Sequence, residues 1–243
     1  MPLILAVIGF LIGPVLVRVA NFLINKKTTP LCPYCQTPYK PLLALKGLIL
    51  QRGRCSSCRA PYLITYASAE IFTPAIFVLI WQKFGFSLYT FFALLYGASF
   101  IILFLTDVNY KVIPSLIVHL TIALAIIGET VRGSHLSNHL LGGAISFLLF
   151  LAFYALGQVY TRWRAVEEVA FGMGDVKLAF LIGIILGYPT GLRALLTGVL
   201  INGVIVLALI IKGLFSKRFN PLAPFPYGPG LILSFFIFWL FLS

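Results

Sequence analysis

Asp107 and Asp175 are the only aspartates in a chain of 243 residues, and each stands at the edge of a long apolar run. A carboxylate costs about 2.5 to 3.5 kcal/mol at the centre of a membrane helix and less near its ends, so one kept beside such a run is a functional candidate by default. Two of them can do acid–base chemistry. One ionised carboxylate activates water while the other, protonated, polarises an amide carbonyl, a split that proximity enforces because two like charges resist ionising together. The other chemically capable set is four cysteines, Cys32, Cys35, Cys55 and Cys58, spaced C-x2-C-x19-C-x2-C. Each C-x2-C turn presents two sulfurs to one tetrahedral ion, and the spacing suits a four-thiolate zinc site. Four thiolates leave no open position for substrate, so such a zinc is structural.

Composition sets the elements that must hold these groups. The chain is 60% hydrophobic and only 10% charged, with a mean hydropathy of +1.04, against about 25% charged in an average soluble domain. It reads as an integral membrane protein. Backbone polar groups in lipid must be satisfied within their own segment, so the apolar runs are expected to be helices. Eight such runs lie near 2–24, 67–82, 88–106, 114–130, 138–160, 177–188, 193–213 and 227–242, the sixth being short. The expected fold is all-α: a polytopic bundle of about eight transmembrane helices with a small zinc-ribbon-like loop. Three segments follow: a first helix over 1–24, a four-cysteine loop over 25–66, and a membrane core over 67–243.

Lysine and arginine orient this map, because cytoplasmic loops retain positive charge. The loop 25–66, Lys111, the Arg162–Lys177 region and the Lys212–Arg218 region fall on one side, leaving Lys83, Arg132 and Arg193 on the other. The cysteine loop is therefore expected in the cytoplasm and both termini outside. The net charge of +12 then needs no nucleic acid: it reflects this bias and attraction to anionic headgroups of the lipid bilayer. The first run begins Met1-Pro2 without a basic region and has no small-residue cleavage pattern, so it reads as a retained span. Disulfides and a redox C-x-x-C compete with zinc at the cysteines. A reducing cytoplasm disfavours the disulfides, and a redox motif needs no duplicated pair. A loop of this size lacks its own core, so metal would supply much of its folding energy.

Asp107 ends the third run and Asp175 precedes the sixth, so both fall on the cytoplasmic side of the same map. Asp175 sits in Gly172-Met173-Gly174-Asp175-Val176-Lys177. Gly172 and Gly174 can take backbone geometries closed to other residues and admit close approach of a peptide. Helix capping is the competing role for Asp175, and an ion pair with Lys111 for Asp107. Lys177 either pairs with Asp175 or anchors at headgroups. Glu70, Glu167 and Glu168 fall near the cytoplasmic face, where a basic peptide would meet them. His119, His135 and His139 map away from the aspartates as packing or interface groups. No glycine-rich nucleotide fingerprint is present.

These residues resemble a family. The Asp107 segment ending in Ile113-Pro114, the Gly172-Met173-Gly174-Asp175-Val176-Lys177 string, Gly53-Arg54-Cys55 with the other cysteines, Glu70 opening the second span and Pro226-Tyr227-Gly228-Pro229 before the last are similar to bacterial type IV prepilin peptidases, membrane aspartic proteases with a G-x-G-D motif. The resemblance covers most of the chain in order, and the cysteine loop separates it from presenilin-like proteases. It implies that Asp107 and Asp175 are catalytic, cutting the leader of prepilin or pseudopilin substrates at the cytoplasmic face of the bacterial inner membrane. It also implies methylation of the new N-terminus from S-adenosylmethionine. Two other functions remain open on the residues alone: an ion- or proton-coupled transporter using the aspartates, and a zinc-ribbon scaffold without catalysis.

Overall fold

The computed structural model describes residues 1–26, 32, 35, 37, 54, 55, 57–59, 63–164, 172–215 and 226–242, without the side chains of 25, 63–66, 164, 209 and 212–215. Tyr34, Tyr39, Tyr62, Glu167 and Glu168 lie outside the described residues. Within them every regular element is helical: α1 (Pro2–Asn25), α2 (Leu63–Phe84), α3 (Leu88–Tyr110), α4 (Ser115–Arg132), α5 (Leu136–Arg164), α6 (Met173–Leu186), α7 (Thr190–Phe215) and α8 (Gly228–Ile237), which continues as a π-helical turn over Phe238–Leu242. These fall on the eight apolar runs, several with longer ends, such as α2, α3 and α7. Hydropathy detects the part that suits lipid, whereas the hydrogen-bond ladder continues until a stop signal. At the ends of α1 and α3 that signal is a left-handed residue, Lys26 (φ 54°) and Lys111 (φ 55°), each donating its N–H back to the preceding turn. Pro2 and Ser87 start the same two helices, one with no N–H to lose and one accepting from the Thr90 N–H.

Five segments, Pro2–Ile24, Leu88–Tyr110, Ser115–Arg132, Leu136–Trp163 and Thr190–Ala208, are long and apolar enough to cross a membrane. The protein is multi-pass. The expectation of about eight spans is refined by length: α6 has 14 residues, about 21 Å at 1.5 Å per residue, short of a hydrocarbon core about 30 Å thick.

The chain divides into two compact units, Met1–Ile117 and Val118–Ser243. In the first, α1, α2 and α3 pack on one another. Leu16, Val17 and Ala20 of α1, Ala67 and Ala69 of α2, and Ile101, Ile102 and Leu105 of α3 form one buried cluster, which Cys32 and Cys55 join. The compact division therefore falls elsewhere than the sequence division at 24 and 66: two of the cysteines are part of a helical core. α1 and α2 approach closely at Gly13, where an added Cβ would lie 3.0 Å from the Glu70 Cα.

In the second unit α6 is the buried helix. Val176, Leu178, Ala179 and the run Leu181–Leu186 have almost no exposure, the pattern of a helix apolar all round. It runs antiparallel to α5, with Phe147 and Phe180 edge to face at 5.9 Å. The two backbones meet at Gly142 and Gly183: a Cβ on Gly142 would lie 2.6 Å from the Gly183 carbonyl oxygen, and one on Gly183 would press on the Gly142 carbonyl and lie 2.5 Å from the Ser146 Oγ. Nothing larger fits. Gly183→Ala is expected to cost about 1 to 3 kcal/mol as an overpacked contact, read as a lower unfolding midpoint in detergent than the wild type.

Candidate active site

Asp107 occupies the last turn of α3 and is 5% exposed. Its carbonyl accepts the Lys111 N–H at 2.8 Å, which closes the helix directly behind it. The neighbouring Tyr110 hydroxyl donates to Asn21 Oδ1 near the end of α1, and Asn21 Nδ2 donates to the Val17 carbonyl at 2.8 Å. The C-terminal ends of α1 and α3 are thereby tied together. The cysteine segment leaves α1 at this end and returns to α2, so Asp107 and the cysteines occupy one end of their unit. Glu70 was expected to open the second span. Because α2 begins at Leu63, Glu70 instead lies two turns in, 1% exposed, beside the close passage of α1.

Asp175 is the third residue of α6 and is 8% exposed. Gly172 is the N-cap, with φ −93° and ψ 150°. Its N–H donates to Asp175 Oδ2 at 3.2 Å, and its carbonyl accepts the Asp175 N–H at 3.1 Å. This is a capping-box arrangement, satisfying a backbone donor that the helix start would otherwise leave orphaned. The capping role weighed from the sequence is therefore real. The expectation that Gly172 and Gly174 supply a backbone closed to other residues is not met: Gly172 is extended and Gly174 is helical, conformations any residue adopts. What Gly172 does leave, among the described residues, is room for a side chain beside the carboxylate. A Cβ there would meet only Asp175 Oδ2, at 3.5 Å, and Gly174 N, at 3.8 Å, among described atoms. Lys177 stands two positions beyond Asp175, and helix positions two apart do not share a face.

The four cysteine sulfurs converge although the residues span both ends of a loop: all lie within 4.8 Å of one another. Cys32 and Cys58 are 3.5 Å apart and Cys35 and Cys55 are 3.6 Å apart, far beyond a disulfide bond length of about 2.05 Å. Four thiolates about 2.3 Å from a central tetrahedral ion are about 3.8 Å from each other, so the set fits one metal ion. Each pair sits on a tight turn, with the Cys32 N–H donating to Thr37 O at 3.1 Å and the Arg59 N–H to Cys55 O at 3.0 Å. The Cys55 thiol is lowered to about 6, chiefly by the backbone N–H of Cys58 and further by that of Ser57, against the opposing effect of burial. Cys35 is also lowered, first by the Thr37 hydroxyl. Both are on the way to the thiolate a metal requires.

A cluster not anticipated from the sequence lies at the end of the second unit away from Asp175. Glu129 of α4 has no exposure, and its Oε2 stands 3.7 Å from Arg132 and 3.7 Å from His139 Nε2. The available signal was a carboxylate closing the fourth apolar run on the side otherwise occupied by a few basic residues.

With this geometry in place, the comparisons with known proteins are decisive. A family model described as the type IV leader peptidase family matches residues 92–211, and one described as a bacterial peptidase A24 N-terminal domain matches residues 3–84. A prepilin leader peptidase/N-methyltransferase of Legionella pneumophila is 30% identical over 84% of this chain and 71% of its own length. The chain belongs to the type IV leader peptidase family. Proteins of the same printed name from Bacillus subtilis (strain 168) and Neisseria gonorrhoeae are 29% and 27% identical, covering 86% and 84% of this chain and 80% and 68% of their own. No solved structure matches. Both aspartates fall inside the leader peptidase match and all four cysteines inside the N-terminal one.

Proposed function

We propose that this protein is an aspartic endopeptidase that removes the leader of prepilin-like proteins and methylates the new N-terminus, with Asp107 and Asp175 as its catalytic pair. The observation that carries the reading is that the only two aspartates of a type IV leader peptidase family member are both more than nine-tenths buried, each at a helix end. A buried carboxylate at the edge of a membrane helix is retained for chemistry or for pairing. In the proposed reaction the ionised member takes a proton from water as it attacks the scissile carbonyl. The protonated member donates to the carbonyl oxygen, and a proton then passes to the leaving amine. Family membership gives the transporter reading no support.

On the charge map the cut is made at the cytoplasmic face of the inner membrane, with the cysteine segment on the same side. The ion held by Cys32, Cys35, Cys55 and Cys58 is assigned as zinc, the metal best suited to four thiolates in tetrahedral array. It supplies folding energy and no chemistry. S-adenosylmethionine is the methyl donor of the second reaction, and no described residue set is assigned to it. The division into a first helix, a cysteine loop and a membrane core is retained as a division of labour, with chemistry in 67–243. Lys177 serves as a headgroup anchor and Glu70 as a packing carboxylate near the substrate side.

The test is processing of a purified prepilin in detergent. The expected product is the mature protein with a free N-terminus, gaining one methyl group when S-adenosylmethionine is added; an uncut prepilin would overturn the reading. Gly172 receives its own test. Serine is at least as good an N-cap as glycine in this extended conformation, so Gly172→Ser is expected to leave the unfolding midpoint unchanged. Its KM for prepilin is expected to rise several-fold, because the added side chain stands against the Asp175 carboxylate, 3.5 Å from Oδ2 at its Cβ. Wild-type KM would show that the glycine does not serve peptide approach.

A further inference from the structure

The buried Glu129–His139 pair is not used by the proposed chemistry, yet it engages the helix that carries Asp175. His139 Nδ1 lies 2.7 Å from the Ile184 carbonyl oxygen. A carbonyl only accepts, so Nδ1 carries the proton and donates. Ile184 is in the last turn of α6, where carbonyls lose their intrahelical partners. Its ordinary partner, the Tyr188 N–H, is turned away and donates to the Asn138 carbonyl at 3.2 Å. His139 therefore caps α6 from the neighbouring helix. The other ring nitrogen faces Glu129 Oε2 at 3.7 Å. Glu129 is in turn held by Ser134, whose hydroxyl donates to its carbonyl at 2.8 Å and to its Oε2 at 3.2 Å, with Arg132 at 3.7 Å.

We infer that His139, oriented by Glu129, is a positioning residue that fixes the axial register of α6 and so the depth of the Asp175 carboxylate. The inference rests on Asp175 being catalytic. α6 is a 14-residue helix buried along nearly its whole length, so it moves as a strut. Ile184 and Asp175 are nine residues apart, about 13 Å along the axis, and slippage at one end is transmitted to the other. The glycine contact at Gly142 and Gly183 keeps α5 and α6 close but offers no directional bond along the axis. The His139–Ile184 and Tyr188–Asn138 hydrogen bonds do. A displacement near 1 Å at a reacting group costs about a hundredfold in rate, and it acts on the chemical step more than on binding.

The experiment compares kcat and KM for prepilin cleavage by purified His139→Ala, His139→Asn and Glu129→Gln, alongside backbone hydrogen exchange over residues 183–188. Asparagine places an amide N–H near the Nδ1 position but cannot reach Glu129. His139→Ala is expected to lose about ten- to a hundredfold in kcat with KM within about twofold, and its α6 C-terminal amides exchange faster. His139→Asn recovers most of the rate and the protection, and Glu129→Gln falls between. Equal loss in His139→Ala and His139→Asn, a rise in KM at unchanged kcat, or wild-type values in all three would each overturn the inference. If His139→Ala does not fold, the comparison of His139→Asn with Glu129→Gln decides, since the cap predicts the milder defect in the former. Should Asp175→Asn cleave normally, the catalytic reading itself has failed. The exchange data still report on the cap in that case, so the two failures are distinguishable.

Discussion

Asp175→Asn is expected to lower leader cleavage by at least about a thousandfold while leaving the protein folded. The two roles of this side chain make the substitution informative. As a cap, Asp175 accepts the Gly172 N–H at 3.2 Å through Oδ2, and an asparagine Oδ1 can accept in the same place. The stability cost is then within about 1 kcal/mol, the scale of one modest hydrogen-bond change. As a catalyst, it must hold or release a proton, which an amide cannot do. Asp107→Asn is expected to match it in effect, and the double variant to be no worse than either single one, because residues that act as a unit lose their function together. Rates of prepilin cleavage, with unfolding midpoints on the same preparations, check all three. A single variant that keeps a tenth of wild-type rate would remove that aspartate from the chemistry.

The second large effect is expected at the cysteines. Replacing Cys32 and Cys55 by serine should reduce bound zinc from about one ion per chain to none, since two of four ligands are gone. It should also destabilise the helices around it. Cys32 is fully buried and Cys55 nearly so, both in the cluster with Leu16, Val17, Ala67, Ile101 and Leu105, whereas Cys35 and Cys58 are exposed. Cys35→Ser with Cys58→Ser should therefore lose the same metal at a smaller cost in unfolding midpoint. Leu105 stands two residues before Asp107, so the buried pair is expected to lower cleavage further than the exposed pair. Acid has a related effect. The Cys55 thiol, lowered to about 6, is thiolate at neutral pH, and protons compete with the metal for it, so zinc held at neutral pH should be released once pH falls below about 6. Metal analysis of each variant, and of wild type dialysed at falling pH, reads these outcomes. Full zinc in the Cys32, Cys55 double variant would place the ion elsewhere.

Much of this was legible without coordinates because membrane insertion simplifies the code. Apolar length marks a helix wherever lipid supplies no hydrogen-bond partners, and eight runs became eight helices among the described residues. The cysteine spacing specified a four-sulfur cluster before the sulfurs were seen together. Residue type and spacing failed where the answer depended on what lies opposite. Gly172 and Gly174 suggested unusual backbone, yet α6 starts with ordinary dihedrals. Glu70 seemed to open a span and proved to lie two turns inside α2, because Leu63-Ile64-Thr65-Tyr66 continue the helix upstream of the expected run.

The sequence by itself determined the class of molecule, the identity of its candidate acid–base and metal-binding groups, and the family to which they point. These depend on composition and on local spacing, which a chain carries with it unfolded. Only the tertiary structure decided that Cys32 and Cys55 are core residues of a helical unit, that Asp175 caps the helix it rides on, and that Glu129 and His139 clasp the far end of that helix. The first and last of these are contacts between different elements, formed because a buried group must find its partner in another segment, and the cap is local but needed the helix start to be fixed.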